Sequence, residues 1–373
     1  MTSTWKRRIA APAAAVLAAT ALAACGSDDD GGSTSAGTTV SGGSGSGGAE
    51  LVVGGWGGAY NKATQKHYIE PWAAESGGSV QFVDAPAAQV AQVEAQNRAG
   101  SIEWDMIDSI AGPDAFVLAD RDLLEPLPAD LRSELESTLG EGKVTDFGFT
   151  MGNLSYVVAC NRDKVERCPE TVSDFFDVEG FPGKREAPAG APLMMMTMAA
   201  VANGTDPAST QTAEPDVDAA FATLDQVKDS IAVYWESGDQ SEQVMRSGEA
   251  DIGLIWSGRA YRLADDGMNL DIAVEGGAYE PGYWTVVKGS DNTEQAFDLM
   301  RSIANNVEGE AAWSTEMEYS VPNPEAIESL PAKQAKRLPD HPDTFPLLAV
   351  PNFEWYAQNA DDVNRRWQDF VKG

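Results

Sequence analysis

From Leu51 onward the chain alternates short apolar runs with longer amphipathic stretches, and this alternation limits the fold more than any other feature. Leu51-Val52-Val53-Gly54 reads as a strand and Gly55-Trp56-Gly57-Gly58 as the loop that follows it. Tyr60 to Glu70 then reads as a helix stopped near Pro71, because proline lacks the donor a helix interior needs. Ser79 to Val83 is the second strand and Ala88 to Ala99 the second helix. Trp104 to Asp108 is the third strand, before a helix through Phe116 and Leu118. Strands separated by single helices must lie parallel, joined by right-handed crossovers.

A second alternating block begins after Asp146. Leu154 to Ala159 reads as a strand. Val217 to Asp229 reads as a helix, with Val217, Phe221, Leu224 and Val227 on one face. Ile231 to Trp235 is a strand, Ser241 to Arg246 a helix, and Asp251 to Trp256 another strand. Ile272-Ala273-Val274 and Tyr283 to Val287 follow, and the last stretch is mainly helical, ending in Asp361 to Val371. The expected fold class is α/β, with two lobes that are each a mainly parallel sheet flanked by helices. A cleft between two such blocks is where ligands tend to bind.

The N-terminal end points to export. Lys6, Arg7 and Arg8 precede an uncharged run from Ile9 to Ala24, the pattern of a secretory leader over residues 1–24. That run is too short for a bilayer core, which takes roughly 20 residues. Leu22-Ala23-Ala24-Cys25 resembles a bacterial lipobox, which makes Cys25 the expected lipidation site; an ordinary cleaved leader with an incidental Cys is the alternative. Residues 25–49 are almost wholly Gly, Ser, Thr, Ala and Asp, a composition suited to a flexible tether between a membrane and a folded body.

Charge excludes one class of partner. The chain carries 26 Lys and Arg against 58 Asp and Glu, a net charge of −32, and losing the three leader cations would make it more negative still. Phosphate backbones would be repelled, so nucleic acid is not an expected partner. Cys160 and Cys168, eight apart in an exported chain, read as a local disulfide closing the segment 161–167. With only His67 and His341, neither a zinc site nor a Ser-His-Asp triad is expected. Phosphate loop and nucleophile elbow are both absent, and Gly55-Trp56-Gly57-Gly58-Ala59-Tyr60 breaks the dinucleotide fingerprint at Tyr60. No catalytic residue, cofactor or metal is therefore expected.

Aromatic residues stand at the strand ends instead. Trp56 follows the first strand, Trp235 and Trp256 end two others, and Tyr283-Trp284 opens a further one. C-terminal strand ends of a parallel sheet face the crevice, where indole rings can flank an aliphatic stem or hold a cation. Core packing is the competing role for each ring. Tyr60, Ser109, Tyr156, Arg259 and Glu275 complete the candidate ligand-binding set. Met194, Met195, Met196 and Met198 form a cluster better suited to core packing.

Six ordered segments resemble one family, the extracellular solute-binding proteins of ABC importers, in the group that contains spermidine/putrescine-binding proteins. They are Thr171 to Asp177 with Phe181-Pro182-Gly183-Lys184-Arg185; Asp218 to Ser241; Gly248 to Arg259; Gly282 to Gly289; Tyr319 to Pro324; and Asn364 to Trp367. The resemblance implies a type II periplasmic-binding-protein fold closing on one solute. Lobe 1 would span 50–150 with a return segment 283–325, and lobe 2 would span 151–282 with a helical tail 326–373. It also implies a polyamine ligand, with Trp56 and Trp256 as walls, and a monomeric receptor that delivers to membrane permease subunits, either lipid-anchored on the outer face of the cytoplasmic membrane or periplasmic. Arg259 stands where the strictest polyamine binders have an acid, and Gly282 where they often have Asp. An Arg there repels ammonium and grips carboxylate in two-point fashion. The alternative solute is thus an amine that also bears a carboxylate, such as an amino acid or opine-like compound; pairing of Arg259 with Asp251 or Glu249 is the structural alternative.

Overall fold

The computed structural model describes residues 50–86, 88–140 and 142–372. The leader, Cys25 and the tether lie outside the described residues. The first sheet begins with β1 (Glu50–Gly55), β2 (Ser79–Asp84), β3 (Met106–Ala111) and β4 (Gly148–Thr150). The second holds β5 (Leu154–Asn161), β6 (Arg185–Pro188), β7 (Ile231–Trp235), β8 (Ile252–Trp256), β9 (Leu270–Ala273) and β10 (Tyr279–Glu280). The chain then returns to the first sheet as β11 (Gly282–Val286). The orders are β2-β1-β3-β11-β4 and β10-β5-β8-β6-β7, with β9 also on β5.

The α/β, two-lobed expectation holds, but "mainly parallel" needs correction. β1 pairs with β2 and β3 in parallel, as β6 does with β7 and β8. β11 and β5, the strands that carry the chain across between lobes, run antiparallel to every neighbour. A strand that leaves one sheet for the other enters against the direction of the crossover units, so each sheet is mixed.

Helices α1 (Gly58–Thr64), α2 (Glu70–Ser76), α3 (Gln89–Ala99), α4 (Gly112–Asp120) and α5 (Ala129–Leu139) belong to the first lobe. Pro71 does not stop the first helix. A π turn at Gln65–Ile69 joins α1 to α2, and Pro71 falls in the first turn of α2. The His67 carbonyl, four residues before the proline and so deprived of its helical donor, accepts instead from Asn306 Nδ2 at 3.0 Å.

The second lobe carries α6 (Pro192–Ala202), α7 (Val217–Lys228), α8 (Gly238–Ser247) and α9 (Ser257–Asp265). α6 buries the methionine cluster, each of Met194, Met195, Met196 and Met198 at 1% exposure or less. Cys160 and Cys168 are joined by a disulfide. Arg185, also fully buried, is held by carbonyls: Nε donates to Phe175 O, Nη1 to Gly183 O and Nη2 to Phe181 O. The Phe-Pro-Gly-Lys-Arg segment is thus a self-caged structural loop.

After β11 come α10 (Thr293–Ala304), α11 (Val307–Met317), α12 (Pro324–Ser329), α13 (Ala332–Ala335) and α14 (Phe353–Lys372). Ala326, Ile327, Leu330, Ala335 and Leu338 pack in the first lobe's core with Trp284 and Trp313. The tail from 326, expected in the second lobe, therefore divides between the lobes: α12 and α13 pack in the first core, and Val350 with α14 joins the second, through Tyr356, Val363, Trp367 and Phe370.

The chain passes between the lobes after β4, after β10 and after Leu338, and one carboxylate ties the passages together. Asp340, whose side chain is 1% exposed, accepts from Lys143 Nζ, from Asn153 Nδ2 at 2.8 Å and from the Tyr279 hydroxyl at 2.9 Å.

Candidate ligand site between the lobes

On the first lobe the structure gathers three predicted residues around the end of β3. Trp56 Nε1 donates to the Ser109 carbonyl at 3.0 Å, and the Tyr60 hydroxyl donates to Ser109 Oγ at 2.6 Å. Ser109 takes φ +47°, a left-handed conformation unusual for a side-chain-bearing residue, so this strand end is strained into place. Gly152 makes the approach possible: a Cβ there would lie 2.7 Å from the Tyr60 hydroxyl. Beneath it, Asp108 is fully buried with neither carboxylate oxygen hydrogen-bonded, and burial raises its pKa to about 7; Ser109 and Thr64 stand near enough to oppose the rise.

On the second lobe Tyr156, Trp235 and Trp256 form one aromatic group. Tyr156 stacks on Trp235 with centroids 6.4 Å apart, and Trp235 meets Trp256 edge-on at 5.1 Å. Register explains the grouping, since Tyr156 on β5 lies opposite Trp256 on β8. Trp235 is 3% exposed and its Nε1 donates to the Leu254 carbonyl, which makes it the backing layer; Trp256 is only half-buried.

Arg259, in the first turn of α9, does not pair with Asp251 or Glu249. Its Nη1 donates to Asp239 Oδ1 at 2.7 Å and to Glu242 Oε1 at 2.9 Å. Gly238 leaves room for it, since a Cβ there would come within 2.6 Å of Arg259 Nε and 3.1 Å of Trp256. Tyr319 connects the two groups. Its ring lies 6.5 Å from that of Tyr60, and burial raises its pKa while Arg259 and Arg262 pull it back. Glu280 lies at the Tyr156 hydroxyl: burial raises its pKa to about 7, the Tyr156 hydroxyl opposing and Asp114 adding to the rise.

Three predicted residues lie elsewhere. Trp284 is 0% exposed in the first core, so it cannot meet a solute. Tyr283, next to it and therefore on the opposite face of β11, packs against Phe116 and Phe147. Glu275 is exposed, and its carbonyl accepts from the Val172 amide, in a segment beside the second core's helices. Conversely, Asp108, Asp239, Glu242, Glu280 and Tyr319 were not singled out as site residues, although Tyr319 opens one of the six family segments.

A cavity of about 1190 Å³ opens elsewhere, lined among others by Phe116, Lys143, Tyr279, Tyr283, Asp340 and Phe345. It holds none of Trp56, Tyr60, Trp256 or Arg259, and its buried pair, Lys143 with Asp340, is already satisfied. The aromatic and Arg259 group, with unpartnered polar atoms at Asp108 and Trp256 Nε1, is the better candidate. Among the described residues no group of three or more His, Cys, Asp or Glu could hold a metal, and no helix is long and apolar enough to cross a membrane.

Comparison with known proteins finds relatives over most of the chain. A family model described as bacterial extracellular solute-binding protein matches residues 67–342. The gamma-aminobutyric acid-binding protein of Pseudomonas aeruginosa is 27% identical over 321 residues, covering 85% of this chain and 89% of that protein. A solved GABA receptor superposes with a TM-score of 0.77 at 28% identity, over 86% of this chain and 97% of the other. The protein AgtB from A. tumefaciens R10, in complex with agropinic acid, gives 0.71 at 28% identity over 87% and 99%. A spermidine/putrescine-binding protein from Streptococcus pneumoniae gives 0.67 over 87% and 100%, but at 17% identity it supports the fold alone. The polyamine expectation is thus the weaker of the two ligand readings.

Proposed function

The chain belongs to the bacterial extracellular solute-binding protein family, and from that premise we propose that it captures a small amine bearing a carboxylate, of the γ-aminobutyrate or opine type, for an ABC permease. The observation that carries this reading is Arg259. It is half-buried directly after the β8 strand end, between the half-buried Trp256 and the Tyr319 ring of the facing lobe. A guanidinium in that place matches a carboxylate and repels the ammonium ends of a polyamine. The rings of Trp56 and Trp256 flank the aliphatic stem, and Glu280, held against Tyr156, faces the ammonium. The related GABA- and agropinic-acid-binding proteins support the same solute class. Membership of a solute-binding family places the chain among binders rather than enzymes.

In this reading the mature chain acts as a monomer, tethered through lipidated Cys25 on the outer face of the cytoplasmic membrane, and hands its solute to permease subunits. Calorimetric titration of the purified chain with γ-aminobutyrate, agropinic acid, putrescine and spermidine tests the ligand. A carboxylate-bearing amine binds, Arg259→Ala abolishes that binding, and polyamines do not bind. Binding of spermidine in preference, undiminished by Arg259→Ala, overturns the proposal.

A further inference from the structure

Arg259 is held by two carboxylates of different standing. Glu242 is 13% exposed on its side chain and is shared by three arginines, with Arg246, Arg259 and Arg262 at 3.5, 2.9 and 3.7 Å. It is fixed from several sides and serves as the anchor of the cluster. Asp239 is 88% exposed, and Arg259 is its one ionic partner among the described residues. It sits in the first turn of α8, directly after Gly238, whose missing side chain lets the guanidinium lie close.

Arg259 Nη1 therefore already carries a carboxylate from solvent-exposed chain, in the same chemical form as the end of the proposed solute. We infer that Asp239 is an internal competitor for the ligand's carboxylate, and so a determinant of affinity: the solute binds by exchanging with Asp239 at Arg259 while Glu242 keeps the guanidinium in place. This inference rests on the amine-carboxylate reading. An exposed ion pair is easily given up, which makes Asp239 the exchangeable partner and Glu242 the permanent one. The exchange also favours ligands whose carboxylate can approach the guanidinium with two oxygens, since a weaker acceptor gains nothing over the resident aspartate.

The test is calorimetry with γ-aminobutyrate on the full chain and on Asp239→Asn, Glu236→Gln, Arg259→Ala and the Asp239→Asn/Arg259→Ala double variant. Wild-type binding that Arg259→Ala abolishes establishes the underlying reading; absence of that binding sinks the reading and the inference with it. Given that binding, Asp239→Asn should bind about two- to fivefold more tightly, the range an exposed ion pair supports. Glu236→Gln, which removes an exposed acid three residues away, should leave affinity unchanged, and the double variant should show no gain. Unchanged or weaker binding by Asp239→Asn overturns the competition alone, as does an equal gain from Glu236→Gln, which would mark a general charge effect.

Discussion

Replacing Glu186 with glutamine should stabilise the protein at pH 7.5 and have almost no effect near pH 5. Glu186 lies on β6 with 0% exposure, neither oxygen is hydrogen-bonded, and Gly253 lies close, an added Gly253 Cβ falling 2.8 Å from its carboxyl. Burial, reinforced by Glu249, raises its pKa from 4.5 to about 9. A folded pKa above the unfolded one gives stability that is complete below pH 4.5 and is lost as pH climbs towards 9. Each pH unit in that window costs the native state about 1.4 kcal/mol, so the cost between pH 5 and 7.5 is about 3 kcal/mol. Glutamine keeps the shape and removes the titration. Urea unfolding of both proteins from pH 5 to 8.5 reads the difference directly, and every other titrating group cancels between them. A difference that stays flat across this range, or one that favours wild type at pH 7.5, would refute the buried neutral carboxyl.

Gly238→Ala should weaken γ-aminobutyrate binding at least tenfold by calorimetry, because its Cβ would displace Arg259; unaltered affinity would remove Arg259 from the site. Affinity should rise about tenfold from pH 6 to 8 as Glu280, with a pKa of about 7, ionises to meet an ammonium, and a flat profile would exclude that partner. Trp284→Phe should lower the thermal midpoint by several degrees while leaving solute affinity intact; lost binding would return Trp284 to the cleft. Cys168→Ser should cost about 2–3 kcal/mol on unfolding, set by the short loop the disulfide closes, and no change would show that the loop is already ordered without it.

The elements legible from sequence were those whose apolar residues repeat with a single period. β1, β7, β8 and α7 appear within a residue or two of their expected ends. β6 was not legible, because Arg185-Glu186-Ala187-Pro188 reads as polar loop until the carbonyl cage around Arg185 is seen. β4 is only three residues long, too short to show alternation, and α5 lies in the acidic stretch between the two blocks. The aromatic positions were found but could not be sorted. β11 is covered on both faces, so Tyr283 and Trp284 carry no polar alternation to say which core each enters. Trp56 and Trp256 differ because glycine or serine neighbours leave their strand ends open. Arg259 was legible as a departure from the polyamine pattern. Its partners were not, since Asp239 and Glu242 reach it across the α8–α9 packing rather than from nearby sequence.

A single acceptor that serves donors on two connecting strands, itself mounted on the third, restricts how the halves can move. Sliding one half past the other would stretch the bonds that Asn153 and Tyr279 donate to Asp340, whereas turning about that carboxylate keeps both donors beside it. Opening should therefore be a rotation with its pivot at residue 340, and substitutions there should alter the rate of solute capture and release together rather than the contacts with the solute.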